Sequence, residues 1–249
     1  MGFLTKEGDY TIVKLYKEID SSFILKKKMN SLIIELLKLL ELENCVFDGS
    51  ILNYNNFKFN NLENLYKKLS VVSLIDSYYS ISDTNKNYFL ADITDNGTSD
   101  FELLTIEIGI KKNKNHNEQW GVLLNVLKIL NPRYGYMTYL PSNFDFLSEK
   151  KIKWYTLTTK VDKSSWVWHN HYQIMDNGGF KFLYEFNIIN NSHLNTEALI
   201  YCNNNSIGTF KQLTLDLYLW KLSKDDFHLA LKILRSHKLF PPLARACSS

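Results

Sequence analysis

Residues 101–140 read FELLTIEIGI KKNKNHNEQW GVLLNVLKIL NPRYGYMTYL, and this stretch decides the fold class. In its first ten residues Leu104, Ile106, Ile108 and Ile110 alternate with Thr105, Glu107 and Gly109. That period of two predicts a strand with one apolar and one wetter face. A polar run with no periodicity follows, so residues 111–117 read as a loop. Over residues 118–130 the apolar residues Trp120, Leu123, Leu124, Leu127 and Leu130 recur at helical spacing. Asn131-Pro132 stops that helix, because the residue before a proline is pushed out of the helical region. Residues 134–140 then predict a second strand. A strand–helix–strand unit therefore lies at the centre of the chain.

The same periodicities extend outward. Toward the N-terminus, residues 10–16 alternate as a strand, and residues 28–43 form an amphipathic helix with Met29, Leu32, Ile33, Leu36, Leu37, Leu39 and Leu40 in its stripe. A further helix is expected over 61–73, and strands over 77–81 and 88–93. Asp95-Asn96-Gly97 is a turn signal before Phe101. Toward the C-terminus, aromatic and β-branched residues predict strands over 154–160, 165–174, 180–189, 197–202 and 210–221. Asp176-Asn177-Gly178-Gly179 reads as a hairpin turn among them. Residues 224–237 predict a last helix, with Phe227, Leu229, Leu231, Ile233 and Leu234 apolar, Ser223 as N-cap and Asp225-Asp226 in the first turn. About four helices and a mainly antiparallel sheet give an α+β fold in one domain spanning 1–249. No linker divides the chain, and the one candidate boundary lies near Lys150.

Composition fits that picture and narrows the function classes. Of 249 residues, 45% are hydrophobic and 22% charged, with a net charge of +3, which describes a globular chain rather than a disordered one. Asn is abundant and Arg occurs only at Arg133, Arg235 and Arg245, a pattern that genome base composition explains. Chance matches are then common, so the Asn-x-Ser/Thr sites and the short Lys runs at 26–28 and 150–151 carry no weight. Interspersed charge with almost no Arg argues against nucleic acid as a partner. The apolar segment 31–42 is interrupted by Glu35, Lys38 and Glu41, so a membrane partner is not expected either. Three widely spaced cysteines, Cys45, Cys202 and Cys247, and an N-terminus without a signal-peptide core predict a cytoplasmic protein with reduced thiols.

No reaction motif is present. The chain lacks GxGxxG and GxxxxGK[ST] phosphate loops, and Asp225, Asp226 and His228 are explained by helix-start chemistry. The metal candidates are His169 and His171, which would share one face of a strand; a third ligand would have to come from Asp162, Asp176 or distant His193. Spacing alone does not choose one, and an aromatic strand packed on the core is the preferred explanation of the segment. No cofactor is predicted, and the balance leans away from an enzyme.

The order of an apolar strand ending in Gly, a Trp-containing helix and the run Pro132-Arg133-Tyr134-Gly135-Tyr136-Met137-Thr138-Tyr139-Leu140 resembles immunity protein 52 and its relatives, which protect bacteria from polymorphic toxins. The resemblance covers residues 101–160. It implies a cytoplasmic α+β protein without catalysis that binds and blocks a cognate toxin. On that reading the partner-contact candidates are the aromatics Tyr134, Tyr136, Trp166 and Trp168. The alternatives are a metal-dependent hydrolase using His169 and His171, and a structural subunit that pairs with copies of itself through strand edges.

Overall fold

The computed structural model describes residues 10–20, 27–40, 46–49, 57–58, 63–64, 67, 78–82, 87–94, 101–111, 116–140, 172–181 and 183–240. The fold is α+β, and the strand pairs within each of its two compact units are antiparallel. The two units meet in sequence between Pro132 and Arg133, inside the strand–helix–strand stretch. The expected boundary near Lys150 and the strand expected at 154–160 lie outside the described residues.

The first unit contains strands β1 (Tyr10–Asp20), β2 (Val46–Gly49), β3 (Phe57–Lys58), β4 (Tyr78–Ser82), β5 (Tyr88–Thr94) and β6 (Phe101–Lys111), with helices α1 (Lys27–Leu40) and α2 (His116–Leu130). The strands lie in the order β3-β2-β4-β5-β6-β1. β1 and β6 pair along their full length, from Tyr10 opposite Lys111 to Asp20 opposite Phe101. One shared face carries Val13, Leu15, Ile106 and Ile108, all buried, as the alternation predicts. The stripe of α1 is also buried at Ile33, Leu36 and Leu37, and α1 packs against α2. α2 ends where expected: Asn131 takes a positive φ of 44° and its N–H donates to the Leu127 carbonyl. Lys17 Nζ donates to the Leu130 carbonyl at 2.7 Å, placing a cation on the negative end of that helix. Of the helix expected at 61–73, Glu63, Asn64 and Lys67 are described and helical.

The other face of β1 and β6 is wetter but not exposed. Lys14 Nζ lies 2.9 Å from Glu107 Oε2, and the Tyr88 hydroxyl donates to Glu107 Oε1 at 2.8 Å. Gly109 makes this possible. It sits opposite Tyr88, and a Cβ at that position would overlap the Tyr88 ring, which lies across the strand on its way to Glu107.

The second unit contains β7 (Tyr134–Leu140), a 3-10 helix at Tyr172–Asn177, β8 (Phe186–Asn190), α3 (Asn191–Leu194), α4 (Glu197–Asn204), β9 (Thr209–Gln212), β10 (Leu217–Lys221) and α5 (Lys224–Ser236). Its strands are ordered β7-β8-β10-β9. Four expectations are corrected here. Residues 197–202 are helical, because Thr196 Oγ1 accepts the Leu199 N–H as an N-cap and overrides the β-prone composition. Residues 210–221 form a hairpin instead of one strand; Thr214 Oγ1 accepts the Leu217 N–H and folds the chain back. Within the 180–189 stretch only residues 186–189 pair as a strand, since Asn187 bonds the Tyr184 backbone through both ends of its amide and keeps residues 183–185 irregular. Gly178-Gly179 closes the 3-10 helix rather than a hairpin. Gly178 has φ +72° and approaches the Ser192 carbonyl and Thr196 too closely for any side chain.

Candidate protein-binding surface

The second unit is built around aromatic packing. Trp220 and Phe180 are fully buried, with ring centroids 6.1 Å apart, and Trp220 stacks on Phe210 at 5.4 Å. The Trp220 indole N–H donates to the Ile207 carbonyl at 3.0 Å, which fixes the exit from α4.

Beneath the helices lies a polar node. His193 is fully buried, with Nδ1 2.8 Å from Asn190 Oδ1 and Nε2 3.0 Å from the Gly179 carbonyl. Its ring stacks on Tyr134 and meets Phe180 edge-on. Asn190 Oδ1 already caps α3 by accepting the Ser192 and His193 N–H groups, so its orientation is set. Two oxygens therefore flank a ring that, when neutral, donates to one of them. Burial pushes the His193 pKa down to about 4; the Gly179 carbonyl opposes that shift and the nearby Arg133 charge adds to it. At neutral pH the ring is uncharged, and the node clamps the 3-10 helix to α3. Burial likewise raises the Cys202 thiol to about 11, leaving a small apolar filler rather than a nucleophile.

On this base α4 and α5 pack together. α4 buries Ala198, Leu199 and Cys202, and its other side presents Ile200 and Tyr201, 47% and 53% exposed. α5 buries Phe227, Ala230 and Leu234 and turns Leu229 outward at 48%. α5 starts on a reciprocal cap: Ser223 Oγ accepts the Asp226 N–H and donates to the Asp226 carboxylate at 2.6 Å. That bond gives Asp226 a capping role, with Asp225 beside it in the first turn. His237, its C-cap, lies 3.9 Å from the Glu197 carboxylate. Leu215, at the β9–β10 turn, is 83% exposed. All four exposed large apolar side chains among the described residues thus belong to the second unit. Isolated exposed leucines are ordinary; Ile200, Tyr201 and Leu229 stand on two capped helices that pack against each other.

The residues singled out by sequence fare differently. Tyr134 is fully buried and Tyr136 is 7% exposed, its ring 3.6 Å from that of Tyr184, so both are core residues instead of solvent-facing anchors. The reason is that residues 134–137 of β7 are covered on both faces. Trp166, Trp168, His169 and His171 lie outside the described residues, as does most of the strand expected at 165–174. His193, named only as a distant third ligand, has both ring nitrogens engaged. Among the described residues no three His, Cys, Asp or Glu groups are placed to hold a metal. No helix among them is long and apolar enough to cross a membrane.

Sequence reasoning missed Ile200, Tyr201 and Leu229. The signals were present: Thr196 before Glu197 is a helix start, and the 227/230/234 spacing leaves Leu229 off the buried stripe.

No family model and no curated protein matches the chain. Among solved structures, a T6SS protein of Pseudomonas aeruginosa, PA0821, is similar over 93% of this chain and 76% of its own, with a TM-score of 0.61 and 10% sequence identity. At that identity the likeness is one of fold.

Proposed function

We propose that the chain is a non-enzymatic binding protein that neutralises a cognate bacterial toxin by direct protein–protein contact, as an immunity protein does. The observation that carries this reading is the outward presentation of Ile200, Tyr201 and Leu229 on α4 and α5. These helices are anchored by caps at Thr196 and Ser223 and by the His193 node below, so little conformational freedom is lost when a partner docks. Tyrosine in such a setting is a frequent binding hot spot. Fold likeness to a T6SS protein and the resemblance of residues 101–160 to immunity protein 52 support a place in a toxin system. In this reading the protein acts in the cytoplasm and needs no cofactor, and occlusion of the toxin is its whole mechanism.

The test is co-expression with the product of the adjacent gene. Rescue of growth together with a single co-eluting species on size exclusion is the expected result. Continued toxicity with two separate peaks would overturn the reading.

A further inference from the structure

The second half of α5 and the residues just beyond it narrow the chemistry of the partner. From Phe227 to Phe240 the chain carries His228, Lys232, Arg235, His237 and Lys238 and not a single Asp or Glu. His228, Lys232 and Arg235 are exposed at i, i+4, i+7 spacing, away from buried Phe227, Ala230 and Leu234, and exposed Leu229 lies on the flank of this row, one turn from Lys232. Among the described residues no ion pair is recorded for Lys232, Arg235 or Lys238, and the carboxylate that approaches this end, Glu197, lies by His237. Asp225 and Asp226 stand in the first turn of α5, where Ser223 holds Asp226; Asp225 lies one turn from Leu229, so the cations free to pair are on the other side of it, at Lys232 and Arg235. The helix dipole offsets part of the Arg235 charge, which lies in the last turn, while Lys232 stands before it. A cationic strip therefore runs beside an apolar side chain, with Ile200 and Tyr201 on the helix packed next to it.

We propose that this face of α5 receives an acidic protein segment carrying an apolar side chain: the apolar group seats on Leu229 and carboxylates pair with Lys232 and Arg235. The inference rests on the toxin-binding reading and specifies the partner's surface. Charge complementarity selects the occupant. A phosphate backbone is the other anionic candidate, but base-stacking and Arg forks are what such partners use, and here an aliphatic residue flanks the strip in a chain with three Arg.

The experiment titrates the full chain with a fluorescein-labelled peptide of repeating Glu-Asp-Leu, followed by anisotropy and amide chemical shifts. A single-stranded oligonucleotide and phosphatidylglycerol vesicles are run in parallel. The peptide is expected to bind, to move the amides of Leu229, Lys232 and Arg235, and to weaken with added salt. Lys232→Glu with Arg235→Glu should weaken it by roughly tenfold or more, as should Lys232→Gln with Arg235→Gln to a lesser degree, with Tm lowered by only a few degrees, and Leu229→Ser should weaken it as well. Absence of binding, equal binding by the charge-reversed variant, or tighter binding of oligonucleotide or vesicles would overturn the inference. Its failure is separable from failure of the toxin reading, which co-expression decides with the natural partner.

Discussion

The unit of residues 10–132 is dominated by two eleven-residue strands, β1 and β6, while the described residues from Arg133 onward form strands of four to seven residues and helices of four to thirteen. Their interiors differ accordingly. A long paired ladder satisfies its own backbone, and the polar side chains buried on it include a charged pair, Lys14 with Glu107, joined by the neutral Tyr88 hydroxyl, beside Thr11 and Thr105. Short elements expose many backbone ends, and the second unit satisfies them with neutral side chains at Asn187, Asn190, His193, Thr196 and Ser223. Those caps also leave helix exteriors free to carry apolar residues. The four exposed large apolar side chains among the described residues follow that division.

The largest effect expected from breaking this contrast is in the first unit. Lys14→Met removes the cation and leaves Glu107, 5% exposed, with the Tyr88 hydroxyl as partner. Breaking a buried pair from one side costs about 3–5 kcal/mol, whereas replacing both members by apolar groups is often neutral. Urea unfolding should therefore show a large loss for Lys14→Met and recovery of most of it in Lys14→Met with Glu107→Leu. Equal loss in single and double variants would mean that the pair is not what stabilises this sheet face.

Next comes pH, which separates the neutral node from the charged one. The His193 pKa falls from 6.5 to about 4 on folding, so below pH 6.5 the unfolded chain binds a proton that the folded chain refuses. The stability tied to this histidine is complete above that range and is lost as pH falls toward 4. The span corresponds to about 3 kcal/mol at most. Chemical denaturation of wild type and His193→Gln at pH 7 and pH 4 measures it. The difference between the two proteins should shrink on acidification; a constant difference would show that the ring titrates normally.

A smaller effect is expected at the caps. Thr196→Ala removes the acceptor for the Leu199 N–H and should cost about 1 kcal/mol, read from the urea midpoint, with faster amide exchange confined to α4.

How much of this contrast the sequence carried depends on element length. β6, α2 and β7 were legible to within two residues, because eleven alternating positions or a Leu stripe ending in Asn-Pro outweigh any local exception. The second unit was read less well. Its β-prone composition pointed to strands at 197–202 and across 210–221, while single side-chain bonds from Thr196 and Thr214 decided otherwise. One hydroxyl weighs little in a periodicity count and much in a four-residue element. Two of the contact candidates, Tyr134 and Tyr136, are buried for a reason that composition does not show. Aromatic content marks both cores and interfaces, and only burial separates Tyr134 at 0% from Tyr201 at 53%.

The smallest expected effect on stability is also the sharpest test of the division between the units. Ile200→Ser with Tyr201→Ser removes apolar groups that are about half exposed, so the packing beneath α4 at Ala198, Leu199 and Cys202 stays intact. Surface changes of this kind usually fall within about 0.5 kcal/mol, so Tm should barely move. Binding is another matter, since truncating a hot-spot residue commonly costs about 2 kcal/mol or more of affinity. Co-purification with the toxin partner should weaken by about thirtyfold at that cost, while Ser31→Ala, an exposed change on α1, leaves it untouched. If the two changes instead lower Tm sharply and spare the complex, then Ile200 and Tyr201 serve the fold, and the outward faces of α4 and α5 lose their claim to the partner.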